Sequence, residues 1–342
     1  MTIRSKVNRR QISLRQSALL TDKLQAFIVE YPAFLDRQLP KIAVIYEEGI
    51  GGGFDIGIIN EPKQLTVVMP FQLARHLHIT RLNQLFAVIV WLLKAGSEAE
   101  AITFNLSDGE AASVARFAAS SPTTGIIPIP DEYFFSSRGF VAARGTADKC
   151  TISWDDRLDE LVWRGGAAGT GTFNPALELA DNLGVRQRIR LAHLLNGSEV
   201  DFKFVKSYTV DGDWNTLQRA GLSGDPIPEQ SWACRKYAID IDGFTNTWSN
   251  LIIRMHYGCC VLKIVSQYGY RQWYYHDLKP FEHFVPVAAD LSNFWERWDW
   301  VKSHPAEAKA IAKQGQDFVR RMTFESEANV AAELIRENWK DG

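Results

Sequence analysis

Residues 236–265 read KYAIDIDGFTNTWSNLIIRMHYGCCVLKIV and combine a strand, a turn, a helix and a second strand. The segment KYAIDID at 236–242 is a short strand-like run that ends at an Asp-Gly turn. An apolar helical stretch follows at 247–256, and CVLKIV at 260–265 is the next buried strand. Strands joined through a helix are parallel neighbours in a sheet. This segment therefore predicts an α/β fold built on parallel sheets.

The same alternation of strands and helices extends over most of the 342 residues. A chain of this length contains about two domains, and the polar, aperiodic stretch at 147–157 is the best boundary between them. We predict one domain at 1–157 and a second at 158–322. Two α/β halves of similar size leave a cleft, and such sheets bind ligands at the carboxyl ends of their strands. Further strands are predicted at 41–46, 55–59, 65–69, 101–106, 125–130, 160–165, 200–205 and 283–287, and further helices at 82–95, 186–196 and 325–339.

Composition and charge exclude several classes of protein. Hydrophobic residues make up 46% and charged residues 23%, which is typical of a globular chain and excludes a disordered one. Lys and Arg number 38 against 40 Asp and Glu, so no positive field attracts a nucleic acid. The four cysteines contain no CxxC pair, which fits a reducing compartment. The longest apolar run, at 86–93, is far shorter than the ~20 residues of a membrane-spanning helix.

The first 20 residues carry five basic side chains and no acidic ones. They lack the apolar core and cleavage site of a secretory signal, so we expect a cytoplasmic protein. We interpret the basic stretch as a solvated start of the chain. The alternative is a weak contact with a membrane surface, which would place the protein at the periphery of the inner membrane.

Two features beside predicted strands have the chemistry of a binding site. Asp240 and Asp242 are two residues apart at the end of a strand, where both carboxylates point to one face. They either hold a divalent cation or cap the turn that follows. The Gly-rich stretch GGAAGTG at 165–171 follows another strand, so its amides could approach a phosphate. It lacks the spacing of a dinucleotide-binding loop, and a flexible loop is the alternative.

A set of short motifs lies between residues 160 and 322. It consists of Trp163-Arg164-Gly165, Gln187-Arg188-Ile189-Arg190-Leu191, Lys236-Tyr237, Asp242-Gly243, Val261-Leu262-Lys263, Trp273-Tyr274-Tyr275, Leu278-Lys279-Pro280, Val285-Pro286-Val287 and Asp290-Leu291-Ser292. Together these motifs resemble glycosyltransferase family 90. That family includes protein O-glucosyl- and O-xylosyltransferases, capsule-associated transferases and lipopolysaccharide-type bacterial enzymes. The Trp273-Tyr274-Tyr275 motif is most similar to the bacterial branch, and the resemblance is weak before residue 160.

The resemblance implies a GT-B fold, in which two Rossmann-like domains face a central cleft. The second domain then binds the nucleotide sugar, the first presents the acceptor, and the last helix, within 323–342, returns to the first domain. The resemblance also implies inversion at the anomeric carbon without a metal ion. The co-substrate is then a nucleotide sugar, expected to be UDP-linked, with no further cofactor. This weakens the metal interpretation of Asp240 and Asp242.

A family aspartate follows a strand of the first domain in a context like N-x-x-D and serves as the base. The matching stretch is Asn105-Leu106-Ser107-Asp108, so the resemblance implies that Asp108 takes the proton of the acceptor hydroxyl. The alternative is an ordinary Asp-Gly turn. Asp131 is the reserve candidate for the base.

The leaving diphosphate needs guanidinium groups and helix amides to neutralise its charge when no metal is present. The resemblance points first to Arg164 and Arg188. It places Asn250 where relatives carry an arginine on the helix after the Asp-Gly turn, and Arg254 is the nearest substitute. Trp273, Tyr274 and Tyr275 either stack on the donor or pack in the core, and His283 is either a donor contact or a core histidine. The predicted nucleotide-sugar contacts are Arg164, Gly165, Arg188, Asp242, Gly243, Thr245, Thr247, Trp248, Ser249, Arg254, Lys263, Tyr275, Glu282 and His283.

The sequence thus predicts an inverting, metal-independent glycosyltransferase. Its partners are a nucleotide-sugar donor and a glycan or lipid-linked acceptor, as in lipopolysaccharide or capsule assembly. The first alternative is a catalytically inactive protein that binds nucleotide sugar or glycan with the same fold. A nucleotide-using epimerase or dehydrogenase is the second, and the missing dinucleotide fingerprint argues against it.

Overall fold

The computed structural model describes residues 3–35, 38–47, 51–75, 77–96, 99–109, 112–206 and 211–339. Contacts divide the chain into two compact units. The first comprises residues 1–136, 271–273 and 323–342, and the second comprises 137–270 and 274–322. The first division thus falls at 136/137, whereas the sequence analysis placed it at 157/158.

A six-stranded sheet forms the centre of the first unit, in the order β1-β3-β2-β4-β5-β6. Its strands are β1 (Lys41–Glu47), β2 (Asp55–Asn60), β3 (Gln64–Pro70), β4 (Ala101–Asn105), β5 (Phe117–Ala118) and β6 (Ile127–Pro128). Its helices are α1 (Ile3–Ile28), α2 (Pro32–Leu35), α3 (Ile79–Ala95), α4 (Glu132–Ser136) and α11 (Phe324–Asn338), with a 3-10 helix at Phe71–Arg75. Strand β2 is antiparallel to both β3 and β4, and the other pairs are parallel, so the prediction of a parallel sheet is wrong for this unit. The strands β4, β5 and β6 therefore present their carboxyl ends at one edge.

Helix α3 is the central packing element of the first unit. Its apolar sequence buries ten side chains, and the fully buried Trp91 indole donates a hydrogen bond to the Pro130 carbonyl at 3.0 Å. Helix α11 packs against α3, with Phe324 5.4 Å from the Trp91 ring. These contacts attach the last helix to the first unit.

The basic start of the chain is part of helix α1, an element that the sequence analysis did not predict. Leu20, Leu24 and Ile28 of this helix are buried, and α1 packs against β1. The side chains of residues 1–15, and with them the predicted basic surface, lie outside the described residues. Among the helices that the structure describes, none combines the length and apolarity needed to cross a membrane.

The second unit contains a five-stranded sheet in which all pairs are parallel, as predicted. Its strands are β7 (Leu158–Gly165), β8 (Asp201–Phe204), β9 (Arg235–Asp240), β10 (Cys260–Ile264) and β11 (Val285–Val287). Its helices are α5 (Val141–Lys149), α6 (Gln187–Leu195), α7 (Asp211–Arg219), α8 (Asn250–His256), α9 (Phe294–Ser303) and α10 (Pro305–Arg321). Short 3-10 helices lie at Trp154–Asp156, Leu177–Leu179 and Glu229–Cys234.

The strand order β8-β7-β9-β10-β11 creates a topological switch point. The chain moves from β7 outward to β8 and then crosses to β9 on the other side of β7. In open parallel sheets the loops leaving such a point separate and form a ligand crevice outside the carboxyl ends. The loops after β7 and β9 are therefore the first place to look for a site in this unit.

Candidate functional site

The turn after β9 is held by Arg188, which lies in the first turn of α6. Its Nε donates to the Asp242 carbonyl at 2.9 Å, its Nη2 to the Ile241 carbonyl at 3.0 Å and its Nη1 to the Gly166 carbonyl at 2.9 Å. Burial lowers the pKa of this guanidinium to about 10, while the nearby aspartates work against that change. A guanidinium has five N–H donors, so the three bonds leave two for a ligand. Arg188 thus joins the ends of β7 and β9 and puts positive charge between them.

Glycine at 243 allows this close approach. A Cβ at that position would lie 3.3 Å from Arg188 Nη2 and 3.8 Å from the Ala168 Cβ. The Thr170 hydroxyl donates to the Phe244 carbonyl at 2.7 Å, which ties the Gly-rich loop to the turn. The predicted Gly-rich loop and Asp-Gly turn are therefore neighbours in the folded chain.

Several buried polar atoms at this turn lack hydrogen-bond partners among the described residues: both carboxylate oxygens of Asp242 and the hydroxyls of Thr245 and Thr247. Asp242 and Thr245 line a small cleft, together with the loops after β7 and β10. Burial raises the pKa of Asp242 to about 6, although Lys263 and the nearby Ser266 hydroxyl act to lower it. The Ser266 hydroxyl does not make a hydrogen bond of standard geometry with Asp242. Native proteins rarely leave buried polar groups unpaired, so these atoms are available to bind a ligand or ordered water.

Asp240 has a different role from Asp242. One oxygen of its fully buried carboxylate accepts from Lys263 Nζ at 3.0 Å, and the other accepts from Asn250 Nδ2 at 2.9 Å. Lys263 also donates to the Tyr275 hydroxyl at 3.2 Å. Burial opposes the charge of Lys263, but the carboxylates of Asp240 and Asp242 keep its pKa above the usual value. This network fixes the end of β9, from which the turn begins.

In this structure the two aspartates are not equivalent, because a lysine ammonium pairs with Asp240 and not with Asp242. Across the described residues, no group of three or more His, Cys, Asp or Glu side chains could hold a metal ion. Asn250, which stands at the position of an expected arginine, uses its amide on Asp240. Asn250 is therefore part of the hydrogen-bond network around Asp240.

Helix α8 begins at Asn250, three residues after the predicted start. Trp248 has φ of +54°, in the left-handed region, and Ser249 makes no side-chain hydrogen bond to the helix start. Of the predicted contacts at 245–249, Thr245 thus lines the cleft with Asp242, and the others follow it in an irregular turn.

Arg164 is not brought to this cluster. Its guanidinium forms a bidentate pair with Asp201 on the neighbouring strand, at 2.7 and 3.0 Å, and its Nε donates to the Asp225 carbonyl at 2.8 Å. It therefore faces β8. Gly165 does lie at the carboxyl end of β7, where a Cβ would come within 2.5 Å of the Trp163 ring.

Three further predicted contacts lie elsewhere in the second unit. Arg254 is in the last turn of α8, 3.9 Å above the Trp232 ring, which precedes β9. Glu282 and His283 come directly before β11, and the His283 ring stacks on Phe318 of α10. All three are near the amino ends of the strands, because α8 and the loop before β11 run back along the sheet. The core interpretation of His283 fits this packing.

In the first unit, a buried aspartate organises the loop after β4. Asp55 Oδ1 accepts from Asn105 Nδ2 at 2.7 Å and from the Ser113 hydroxyl at 2.6 Å. Its Oδ2 accepts from the amides of Gly52 at 2.7 Å and Val114 at 3.0 Å. Asp55 is fully buried and makes four hydrogen bonds, so both ends of the loop are fixed to one carboxylate. No motif of the sequence pointed to Asp55. The one indication was a charged residue at the first position of the predicted strand 55–59.

Asp108 extends from this loop. Asn105 Oδ1 accepts from the Ser107 amide at 2.9 Å and also from the Ser107 hydroxyl, and the Gly109 amide donates to Ser107 Oγ at 3.1 Å. The surrounding protein raises the pKa of Asp108, and the positive charge of Arg81 acts in the opposite direction. Asp108 is thus a partly exposed carboxylate on a turn that these hydrogen bonds hold.

The loop after β6 adds two buried carboxylates, Asp131 and Glu132. Asp131 accepts from the Phe134 amide at 2.9 Å and from Gln272 Nε2 at 2.7 Å, so it caps α4. Glu132 Oε2 is buried without a hydrogen-bond partner among the described residues. Burial, then the charges of Asp131 and Asp108, raise the pKa of Glu132 well above the usual value. Because β4 and β6 are parallel within one sheet, Asp108 and Glu132 share its carboxyl edge. Sequence reasoning did not select Glu132.

The Asp242 turn lies within the part of the chain that matches a known family. Residues 147–331 match the family model described as glycosyl transferase family 90. The chain is 28% identical over 192 residues to "Uncharacterized protein 179R" of Invertebrate iridescent virus 6, covering 50% of this chain and 16% of that protein. It is 34% identical over 87 residues to "Protein O-glucosyltransferase 2" of Danio rerio, covering 25% of this chain and 16% of that protein. A glycosyltransferase structure from Rickettsia africae aligns with a TM-score of 0.35 and 11% identity over 64% of this chain and 57% of that chain. The chain thus spans about one sixth of the length of the two curated relatives.

Proposed function

This chain belongs to glycosyl transferase family 90, and from that we propose that it transfers a sugar from a nucleotide sugar to an acceptor hydroxyl. The observation that carries the proposal is the set of unpaired buried oxygens at the Asp242 turn. They lie at the carboxyl edge of a parallel sheet, at its switch point, next to the buried cation of Arg188. A site with one fixed cation and several unpaired hydroxyl-recognising groups suits a ligand that is both anionic and hydroxylated.

Different parts of the donor contact different groups of this site. The diphosphate lies against Arg188 and the backbone amides of residues 245–249, which supply positive charge. Asp242 accepts hydrogen bonds from ribose or sugar hydroxyls, since a carboxylate repels a phosphate. The hydroxyls of Thr245 and Thr247 complete the polar contacts. We propose a UDP-linked donor, as the family resemblance implies.

We propose that Asp108 is the base. It takes the acceptor proton while the acceptor oxygen attacks the anomeric carbon and the bond to the diphosphate oxygen breaks, which inverts the configuration. Arg188 and the turn amides stabilise the charge that develops on the leaving phosphate. Asp131 is less suited to be the base, because its oxygens already accept from Phe134 and Gln272.

The reaction is proposed to need no metal ion. Support comes from Asp240, whose carboxylate is occupied by Lys263 and Asn250. The proposed acceptor is a hydroxyl of a glycan or a lipid-linked sugar, as in lipopolysaccharide or capsule assembly. The GT-B arrangement is likewise a proposal that rests on the family.

The test is a thermal-shift panel of UDP-sugars followed by turnover. A bound nucleotide raises the melting temperature in proportion to ln(1 + [L]/Kd), and UDP should do so where NAD does not. Asp108→Asn should bind UDP normally and lose at least ~100-fold in turnover. Normal turnover in that variant removes Asp108 from the mechanism.

Slow hydrolysis of the donor by the wild-type protein separates an active transferase from an inactive nucleotide-sugar binder. The absence of any shift with UDP, GDP or ADP sugars would refute the donor site itself.

A further inference from the structure

A second cleft lies at the opposite edge of the same sheet from the Asp242 turn. It is formed at the amino ends of β7, β8 and β9, beside the end of α9 and the start of α10. Its volume is about 780 Å³, within the range of ~300–1,000 Å³ that is typical of ligand sites. None of its residues has a role in the proposed donor site.

A β-bulge shapes the floor of this second cleft. Leu158 pairs with Arg235 and Leu161 pairs with Tyr237, so three steps along β7 oppose two along β9. Side chains in a regular strand alternate between the faces, but here Asp159 and Glu160 are both exposed and both line the cleft. Bulges of this kind re-aim side chains beside functional sites. This one places two adjacent carboxylates at one cleft.

Three aromatic rings form the wall. The Tyr237 ring meets Trp298 edge to face at 5.0 Å and Trp154 at 6.1 Å. Trp298 donates from Nε1 to Glu199 at 2.7 Å, and the Asp159 carboxylate lies near the Tyr237 hydroxyl. Tyr237 and Trp298 are buried, whereas Trp154 is half-buried. The wall is therefore rigid and offers an accessible indole.

The charges around the cleft are nearly balanced, with four carboxylates and three lysines. Each lysine pairs with a carboxylate at the surface. The pairs are Asp155 with Lys309 at 2.8 Å, Asp159 with Lys236 at 3.4 Å and Glu199 with Lys302 at 2.5 Å. A strongly charged ligand would face repulsion from half of these groups. A ligand with hydroxyls can donate to the carboxylates and accept from the ammonium groups.

We propose that this cleft is a binding site for a neutral oligosaccharide. A pyranose ring has an apolar C–H face that packs on an indole, and a rim of hydroxyls that needs both donors and acceptors. The cleft supplies both kinds of surface, at Trp154 and at the ion pairs. The site is distinct from the donor site because the two lie at opposite ends of the same strands. It would hold a glycan chain on the protein while the reaction takes place elsewhere.

The test is saturation-transfer NMR with maltohexaose, cellohexaose and chitohexaose, each with and without saturating UDP. At least one should bind, with saturation concentrated on sugar C–H protons, and UDP should leave its Kd unchanged. Trp154→Ala should weaken binding by ~10-fold or more, as loss of a central aromatic contact does. Trp214→Ala is the matched control, because Trp214 is also half-buried against the same core but lies outside the cleft.

Ala306→Trp provides a second variant that leaves the core intact. Ala306 is exposed at the start of α10 and lines the cleft, so a bulky side chain there fills the space and should abolish binding. The proposal is overturned if none of the three oligosaccharides binds, or if binding survives in both Trp154→Ala and Ala306→Trp. A UDP shift that persists while oligosaccharide binding fails overturns this inference alone and leaves the proposed function intact.

Discussion

Replacing Asp242 by asparagine should stabilise the protein at neutral pH. Both carboxylate oxygens of Asp242 are buried without hydrogen-bond partners among the described residues, and burial raises the pKa from 3.8 to about 6. Each pH unit between the two values corresponds to ~1.4 kcal/mol, so the ionised carboxylate costs the folded state about 3 kcal/mol. Asparagine has nearly the same shape and cannot ionise.

The sign of the effect follows from proton binding. Because the folded state binds the proton more tightly than the unfolded state, the contribution of Asp242 to stability is full below pH ~4. It is lost as the pH rises through ~6, where the folded state must release the proton. The stability of Asp242→Asn relative to wild type should therefore increase by about 2.4 kcal/mol between pH 4 and pH 8, most of the full effect of about 3 kcal/mol.

The assay is thermal unfolding of wild type and variant at pH 4.5 and pH 8. About 2 kcal/mol of the effect develops between pH 4.5 and pH 8. In a unit of this size 1 kcal/mol shifts Tm by ~2–4 °C, so the gain at pH 8 should exceed the gain at pH 4.5 by ~4–8 °C. Asp181→Asn is the control, since Asp181 is an exposed aspartate of the same unit. Asp242→Asn, unlike the control, should also lose the increase in Tm that UDP produces. A difference from wild type that does not change with pH would refute the reasoning from burial.

The remaining predictions concern the loop that carries the proposed base and the hydrogen bonds by which Arg188 holds the Asp242 turn. Arg81→Gln removes a cation that lowers the Asp108 pKa, so the acidic limb of the kcat/KM profile should move to higher pH; an unmoved limb counts against Asp108 as the base. Asp55→Ala breaks four hydrogen bonds of a buried carboxylate and should reduce stability by ~3 kcal/mol or more, measured by urea unfolding. Gly243→Ala puts a methyl group 3.3 Å from Arg188 Nη2 and should weaken UDP binding by ~10-fold in calorimetry. Unchanged affinity for UDP would show that the hydrogen bonds of Arg188 to the turn tolerate the methyl group.

Local sequence patterns were enough to predict the elements of the donor site. The segment 236–265 folds as the predicted strand, turn, helix and strand, because periodicity and turn chemistry act over a few residues. The Gly-rich loop and the Asp-Gly turn each follow a predicted strand, but their contact through Thr170 is seen only in the folded chain. The family motifs between 160 and 322 lie entirely within the region that matches the family model.

Tertiary structure alone decided which charged side chains face the turn. Arg164 and Arg188 had equal standing in the sequence, but Asp201 on the next strand binds the first and three backbone carbonyls hold the second. Likewise, Asp240 and Asp242 share one motif, yet only Asp240 has Lys263 as a partner. The partner of a charge is set by strand register and by helices distant in sequence.

The sequence by itself therefore determined the α/β class, the all-parallel second sheet and the family. The tertiary structure decided the position of Arg188, the Asp55 network beneath Asp108 and the bulge that forms the second cleft. The physical reason is the separation along the chain over which each kind of interaction acts. Backbone propensity and hydrophobic periodicity are properties of neighbouring residues, whereas a buried charge is stable only where residues from distant parts of the chain supply its partners.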